Sequence, residues 1–235
     1  PPWSITSLLL SGVTFYPLVV CMYLKSKMKQ EIGNIIKNEH FDLIHAETFY
    51  VMPNIPENDI PTILVEQTIE YLVYKHYTHH VGFWPLKLLM NWDVAKIYNW
   101  EIKYWQVAKR VVAMSSADRE VMRALIPKLT VDIVPNGVDI EFFSQKKFKG
   151  LSKSPTVLFV GNFKWLQNRE AVSILVRDIW PLIRKKIPTA RLWIVGKNPS
   201  SDIKRLKSDS IKVSSDIENI NSAYSASDIL LAPIY

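Results

Sequence analysis

The chain's 235 residues, 48% of them hydrophobic and 22% charged, can bury a substantial core as one large domain or two smaller ones, which excludes a disordered chain. The net charge of +7 invites a polyanion or an anionic membrane, yet no arginine-rich run, zinc spacing or aromatic-basic interleaving accompanies it, so nucleic acid is not expected. A single cysteine, Cys21, excludes an internal disulfide framework and, in an apolar stretch, reads as a buried inert thiol in a reducing compartment.

Residues 1–24 carry no charge and are followed by Lys25, Lys27 and Lys29, the outline of a membrane span or a signal peptide. Ser4, Thr6, Ser7, Ser11, Gly12, Thr14 and Pro17 interrupt the run, and it has neither a basic leader nor a small-residue cleavage site. The expectation is a buried loop-and-helix edge of a domain, with contact to a membrane surface left open. Leu24, Met28, Ile32, Ile35 and Ile36 then share a stripe, which predicts an amphipathic helix over 25–38.

A strand is expected over 41–46, a proline-bounded loop over 54–61 and a second strand over 62–65. A helical region runs from about 68 to 109, broken around 82–85. In its second part Val94, Ile97, Tyr98, Trp105 and Ala108 form an apolar stripe. Glu101 lies on that stripe and reads as paired within the fold. A third strand over 110–114, a helix over 116–126 capped by Ser115 or Ser116, and a fourth strand over 131–134 follow, ending in the turn Pro135-Asn136-Gly137.

Composition shifts over 142–155, where Lys146, Lys147, Lys149, Lys153 and Gly150 mark a basic linker. Alternation then restarts with a buried strand over 156–160, Gly161 at its carboxyl end, a short loop and a helix opening near Asn168. That helix should run to 186 and kink at Pro181, which lacks an N–H and crowds the preceding turn. A strand over 191–195 ending in Gly196, a helix near 202–207, a strand over 211–213, a helix over 217–226 and a strand over 229–232 complete the pattern. Strands alternating with helices imply parallel sheets covered on both faces. The fold class is therefore α/β, with two facing Rossmann-like domains, 1–141 and 156–235, on either side of the linker.

Several ordered motifs resemble one family. Asp42-Leu-Ile-His45-Ala-Glu47, Pro61-Thr-Ile-Leu-Val-Glu66-Gln, Val111-Val-Ala-Met-Ser115-Ser-Ala-Asp118 and Val134-Pro-Asn-Gly-Val-Asp139 stand in the order and spacing of the family-four retaining glycosyltransferases. Phe159-Val-Gly161-Asn, Asn168, Trp180-Pro181, Pro188-Thr-Ala190, Trp193-Ile-Val-Gly196 and Ala226-Ser-Asp228 through Pro233 continue the match. It looks most like bacterial sugar transferases with a G-N-F-x-W-x-x-N loop, and it covers nearly everything from Asp42 onward. The resemblance implies the GT-B fold. It further implies a cleft active site, a donor-binding second domain, an acceptor-binding first domain, and metal-free transfer from a nucleotide diphosphate sugar as co-substrate, with no other cofactor. A glycan or lipid-linked acceptor, a cytoplasmic location and cell-envelope polysaccharide synthesis are implied with it.

Through that resemblance Gly161 lies beneath the donor diphosphate, with Asn162 and Lys164 placed to meet phosphate oxygens. Many relatives carry an arginine and a lysine in this loop, whereas here Asn162 follows the glycine, which leaves Lys164 as the only nearby cation; a plain solvated lysine is the competing reading. Gly196 and Lys197 end the next strand on the same rim, where a simple strand-end turn reads equally well. Around Val213 and Ser214, relatives place a glycine beside the base, and this chain has Ser214-Ser215 instead. In the first half His45, Glu47, Glu66 and Glu70 follow strand ends and are candidates to orient the acceptor hydroxyl, with structural hydrogen bonding as the alternative for each. Gln67 stands where relatives often carry histidine. His76, His79 and His80 cluster without a further ligand, and no metal is expected.

The chain begins Pro-Pro and stops soon after its last strand, and the family's paired glutamates, seven residues apart after a glycine-rich loop, would begin just past Tyr235. The expectation is an internal fragment, inactive alone. Two other readings remain: a nucleotide-sugar epimerase of the same architecture, and a non-catalytic GT-B-like binding module. The charge excess and uncharged start are also compatible with peripheral docking on anionic lipid at the inner face of a membrane.

Overall fold

The computed structural model describes residues 4–144 and 154–233. The expected linker therefore falls largely on 145–153, outside the described residues. The chain packs as two units that divide between Gly137 and Val138.

The first unit opens with α1 (Ile5–Val13), α2 (Leu18–Tyr23) and α3 (Ser26–Asn38). β1 (Ile44–Glu47), a 3-10 turn (Phe49–Asn54), β2 (Thr62–Glu66), α4 (Glu70–His79), α5 (Trp84–Val107), β3 (Arg110–Ala113), α6 (Ser116–Leu125) and β4 (Val131–Ile133) follow. The strands make one parallel sheet in the order β1-β2-β3-β4, in register through Ile44–Thr62, Ile63–Arg110 and Val111–Val131. β1 starts three residues later than its hydrophobic run predicts. Phe41 and Leu43 are exposed, and pairing begins only where Thr62 stands opposite Ile44.

The core of this unit packs Ala46, Leu64, Val111 and Ala113 of the sheet against Phe49, Ile97, Trp105 and Met122. Glu101 of α5 is fully buried, and its two oxygens accept from the backbone N–H groups of Glu70 (2.7 Å) and Tyr71 (2.9 Å). It thereby caps the first turn of α4, whose own N-cap residue, Ile69, offers no side-chain acceptor. The Glu101 carboxyl on the apolar stripe is hydrogen-bonded within the fold, as its position suggested. Cys21 is buried in α2. Among the described residues, no helix is long and apolar enough to cross a membrane.

The second unit runs α7 (Ile140–Ser144), β5 (Thr156–Val160), α8 (Leu166–Ile174), a π turn (Leu175–Ile179), α9 (Trp180–Lys186), β6 (Arg191–Gly196), α10 (Ser201–Arg205), β7 (Ile211–Ser215), α11 (Ile220–Ser225) and β8 (Ile229–Leu230). Helix α7 falls on residues expected to be turn and linker. It docks through its carbonyl at Phe142, which accepts from Asn221 Nδ2, and through an edge-on contact of Phe143 with Tyr224. Pro181 acts one turn earlier than its own position. With no N–H at 181, the hydrogen-bond ladder slips into the π turn that ends at Ile179, and α9 restarts from Trp180.

The second sheet is also parallel, in the order β7-β6-β5-β8. Alternate residues divide between its two faces. Val157, Phe159, Leu192 and Ile194 pack against Ala171, Val172, Leu175 and Trp180, whereas Leu158 and Val195 pack with Ala223. Both faces are covered, which accounts for the unbroken apolar run of β5. The order places β6 and β7 on one side of β5 and β8 on the other, so the winding reverses at β5.

At that reversal the ends of β5 and β6 touch. A Cβ added at Gly196 would run into the carbonyl oxygen of Gly161 and lie 2.8 Å from the Phe163 ring. Gly196→Ala should therefore destabilise the chain by more than about 3 kcal/mol, the upper end of ordinary overpacking, in urea unfolding. Gly137→Ala, where nothing lies within 4 Å, should stay within about 0.5 kcal/mol.

Candidate functional site

In an open parallel sheet, ligands bind beyond the carboxyl ends of the strands where the winding reverses. The carboxyl end of β5 occupies that place in the second unit. Gly161 N–H donates to the Val195 carbonyl (3.0 Å) and Phe163 N–H to the Lys197 carbonyl (2.9 Å), so the loops after β5 and β6 are joined by backbone. Phe163 is buried and anchors the loop, while Lys164 and Trp165 stand exposed on it and Lys197 on its neighbour.

Asn162 organises this loop. Its Oδ1 accepts from Lys164 N–H (3.1 Å) and from Asn198 Nδ2 (3.2 Å), and its carbonyl accepts from Asn168 Nδ2 (2.9 Å). The Asn162 amide oxygen is thus engaged inside the loop. The crowding at Gly161 is also internal: a Cβ there would sit 3.0 Å from Asn168 Cγ and 3.0 Å from Phe159 Cε1. Helix α8 opens from this loop with no side-chain cap, leaving partial positive charge at its first turn beside two lysines on the rim. On β7, Val213 packs with the core and Ser214 Oγ accepts from Trp193 Nε1 (2.9 Å). Both base-side candidates therefore have structural partners.

In the first unit the candidates separate. At the end of β1, His45 Nε2 lies 3.1 Å from Glu47 Oε1, and Glu47 Oε2 accepts from Gln67 Nε2 (2.9 Å). This trio is solvent-accessible and able to hold a hydroxyl. Glu66 points the other way. It is 1% exposed, its Oε1 accepts from Trp105 Nε1 (3.0 Å), and its Oε2 is buried with no hydrogen-bond partner among the described residues. Glu70 lies between, at the start of α4, partly buried.

Burial raises all three acids of this region. Desolvation, and then the charge of Glu101, push Glu66 well above the usual carboxylate range. Desolvation lifts Glu70 to about 7 and Glu101 to about 8, the latter against two backbone donors that favour its charged form.

A further mark of these rims is backbone strain. The described non-glycine residues with positive φ are Thr48 (69°), Asn198 (55°) and Asp216 (52°), each one or two residues beyond the carboxyl end of a parallel strand. For β-branched Thr48 that conformation is a true outlier, of the kind that concentrates where a ligand is held. Neither Thr48 nor Asn198 stood out in the sequence. An asparagine after Gly196-Lys197, tolerant of the left-handed region, was the one available hint.

Comparison with known proteins agrees with the geometry. The family model for Glycosyltransferase Family 4 matches residues 16–142, more than half of the chain, and that for glycosyl transferases group 1 matches 154–235. No curated protein matches the sequence. Among solved structures, the crystal structure of TarM superposes with a TM-score of 0.59 at 12% identity, over 90% of this chain and 40% of its own. A trehalose-6-phosphate synthase, studied with bisubstrate glycomimetics for glycosyl transfer with retention, gives 0.57 at 8% identity over 97% of this chain and 60% of its own. The chain thus spans about half the length of these neighbours, and at such identities the likeness shows the fold: two Rossmann-like parallel-sheet domains of GT-B type.

The three raised carboxyls make the chain's stability depend on pH. Their protons are held in the folded chain and released in the unfolded one. The stabilisation is complete below the ordinary carboxylate range and is lost as pH rises through 7 and 8. Urea midpoints followed by tryptophan fluorescence should fall between pH 6 and pH 9, by at least about 2 kcal/mol in stability. A flat or rising profile would mean that the cluster is ionised in the folded chain.

Proposed function

This chain belongs to glycosyltransferase family 4, and we propose that it acts in the retaining transfer of a sugar from a nucleotide diphosphate sugar to a glycan or lipid-linked acceptor. The observation that carries the reading is the loop after β5: it lies where the second sheet reverses its winding, and it joins a glycine-locked turn, an uncapped helix start and exposed lysines. Retention is supported by the trehalose-6-phosphate synthase neighbour, whose own description concerns transfer with retention. The G-N-F-x-W-x-x-N loop supports a bacterial enzyme of cell-envelope polysaccharide synthesis, working in the cytoplasm.

Transfer of this kind asks the protein to stabilise a departing diphosphate while positive charge builds on the sugar. In the second unit Lys164, Lys197 and the first turn of α8 supply fixed positive charge for the diphosphate, and Asn162 holds the loop in shape with its amide oxygen. No metal is required for that role. In the first unit His45 and Glu47, braced by Gln67, are suited to orient an acceptor hydroxyl. Glu70, with its carboxyl lifted to about 7, is suited to exchange a proton near neutral pH. Glu66 holds Trp105 in the core and takes a positioning role only.

Isothermal titration of the chain with UDP, GDP and ADP tests the donor side. At least one nucleoside diphosphate should bind. Lys164→Ala and Lys197→Ala should each weaken it about tenfold, the worth of one exposed charge-assisted contact, while His45→Ala leaves it unchanged. Binding insensitive to both lysines, or no binding of any of the three, would remove the donor site from this rim.

A further inference from the structure

Helix α1 is inside out. The residues it buries are Ser7 and Ser11, whereas Ile5, Leu8, Leu9, Leu10 and Val13 face solvent, Leu9 at 63% and Val13 at 82% exposure. The polar side is bound to the protein. Lys96, itself buried in α5, donates through Nζ to the Ser11 carbonyl (2.7 Å), Ser11 Oγ (2.9 Å) and the Tyr16 carbonyl (3.1 Å). Asp93 completes the knot, accepting from Ser11 Oγ (3.1 Å) and Leu18 N–H (2.9 Å), with Lys96 Nζ 3.3 Å away. An amphipathic helix on a water-facing surface buries its leucines and exposes its serines. This one does the reverse.

The first half of α5 repeats the arrangement. Its buried residues begin at Lys96, and before that point Trp84 (70%), Leu88, Leu89 (68%) and Trp92 (59%) stand in solvent, with Phe83 beside them. The two exposed faces are continuous. A groove of about 420 Å³ runs between them, lined by Leu8 and Gly12 from α1, Leu18 from α2, and Leu86, Leu89 and Met90 from α5.

We propose that this face of α1 and the first half of α5 is a docking surface for an anionic lipid bilayer. The nine residues of α1 are too short to span a membrane and are suited to lie in its interface, with leucines among the acyl chains and Trp84 and Trp92 at headgroup depth. The charge is complementary. Residues 1–30 carry no carboxylate, and between Glu70 and Glu101 the one acid is Asp93, bound within the knot, while Lys75 and Lys87 are basic and Lys87 stands in α5 between the exposed Leu86 and Leu88. A protein partner would meet the same leucines, but this face pairs them with tryptophan, lysine and almost no acid, the mixture that anionic headgroups attract. The inference is independent of the glycosyl-transfer reading, since it uses no residue of the proposed donor or acceptor groups.

Sedimentation of the chain with phosphatidylglycerol-rich vesicles, set beside phosphatidylcholine-only vesicles, tests it. The chain should pellet with the acidic vesicles at low salt and progressively less as salt rises. Leu9→Ser with Trp84→Ser should lower partitioning at least about tenfold, and Lys87→Glu should weaken it and flatten its salt dependence. Both variants should keep the far-ultraviolet spectrum and the nucleoside diphosphate titration of the unaltered chain. Equal partitioning of the double variant, or no binding to acidic vesicles, would overturn the proposal. So would a dimer in solution that the double variant dissolves without any vesicle binding, because the face would then be an interface between copies of the chain.

Discussion

The second unit depends on one close approach, the backbone of Gly196 lying against the carbonyl of Gly161. No side chain fits between them. Because the approach joins β5 and β6 at their carboxyl ends, the loops that leave those strands start from a common fixed point, and two backbone hydrogen bonds keep them together. Asn162 then spends its amide oxygen and carbonyl on Lys164, Asn168 and Asn198, so the lysines and the start of α8 are carried on a braced turn. Charge placed this way needs little reorganisation when an anion arrives, which is the property a diphosphate leaving group demands.

The first unit is organised by buried carboxyl groups. Glu101 caps α4 from another helix, and Glu66 holds the Trp105 indole, so two acids that would be expected at a surface tie together the helices over the first sheet. Their burial leaves Glu47 and His45, at the end of the edge strand β1, as the accessible polar pair, with Glu70 between core and surface. The same unit bears, on α1 and the first half of α5, an apolar face secured from beneath by Lys96 and Asp93.

The parts of this structure that were legible in the sequence are those where one residue type meets one requirement. The apolar run of β5 announced a buried parallel strand, whereas Gly161 was expected to make room for a ligand and the crowding at it comes from Asn168 and Phe159. Glu101 on an apolar stripe announced a partner within the fold. Pro181 announced a break, although the hydrogen-bond slip lies in the turn before it. Other features were hidden for physical reasons. Glu66 follows the buried Leu64 and Val65 at the end of β2, and that position could not say whether its carboxyl meets water or Trp105. Hydropathy measures how apolar residues 1–24 are and not which side of α1 faces the protein; the inward serines are set by Lys96, more than eighty residues away. Short α7 carries too few residues for a periodicity, and its place is set by Asn221 and Tyr224.

The central claim is that the braced turn after β5 is where an anionic donor is held. Hydrogen exchange of backbone amides, followed while a nucleoside diphosphate is added, tests that most directly. The account predicts new protection confined to residues 161–168 and 196–198, with the end of β1 unchanged. Protection elsewhere in the second unit, with 161–168 exchanging as before, would contradict it.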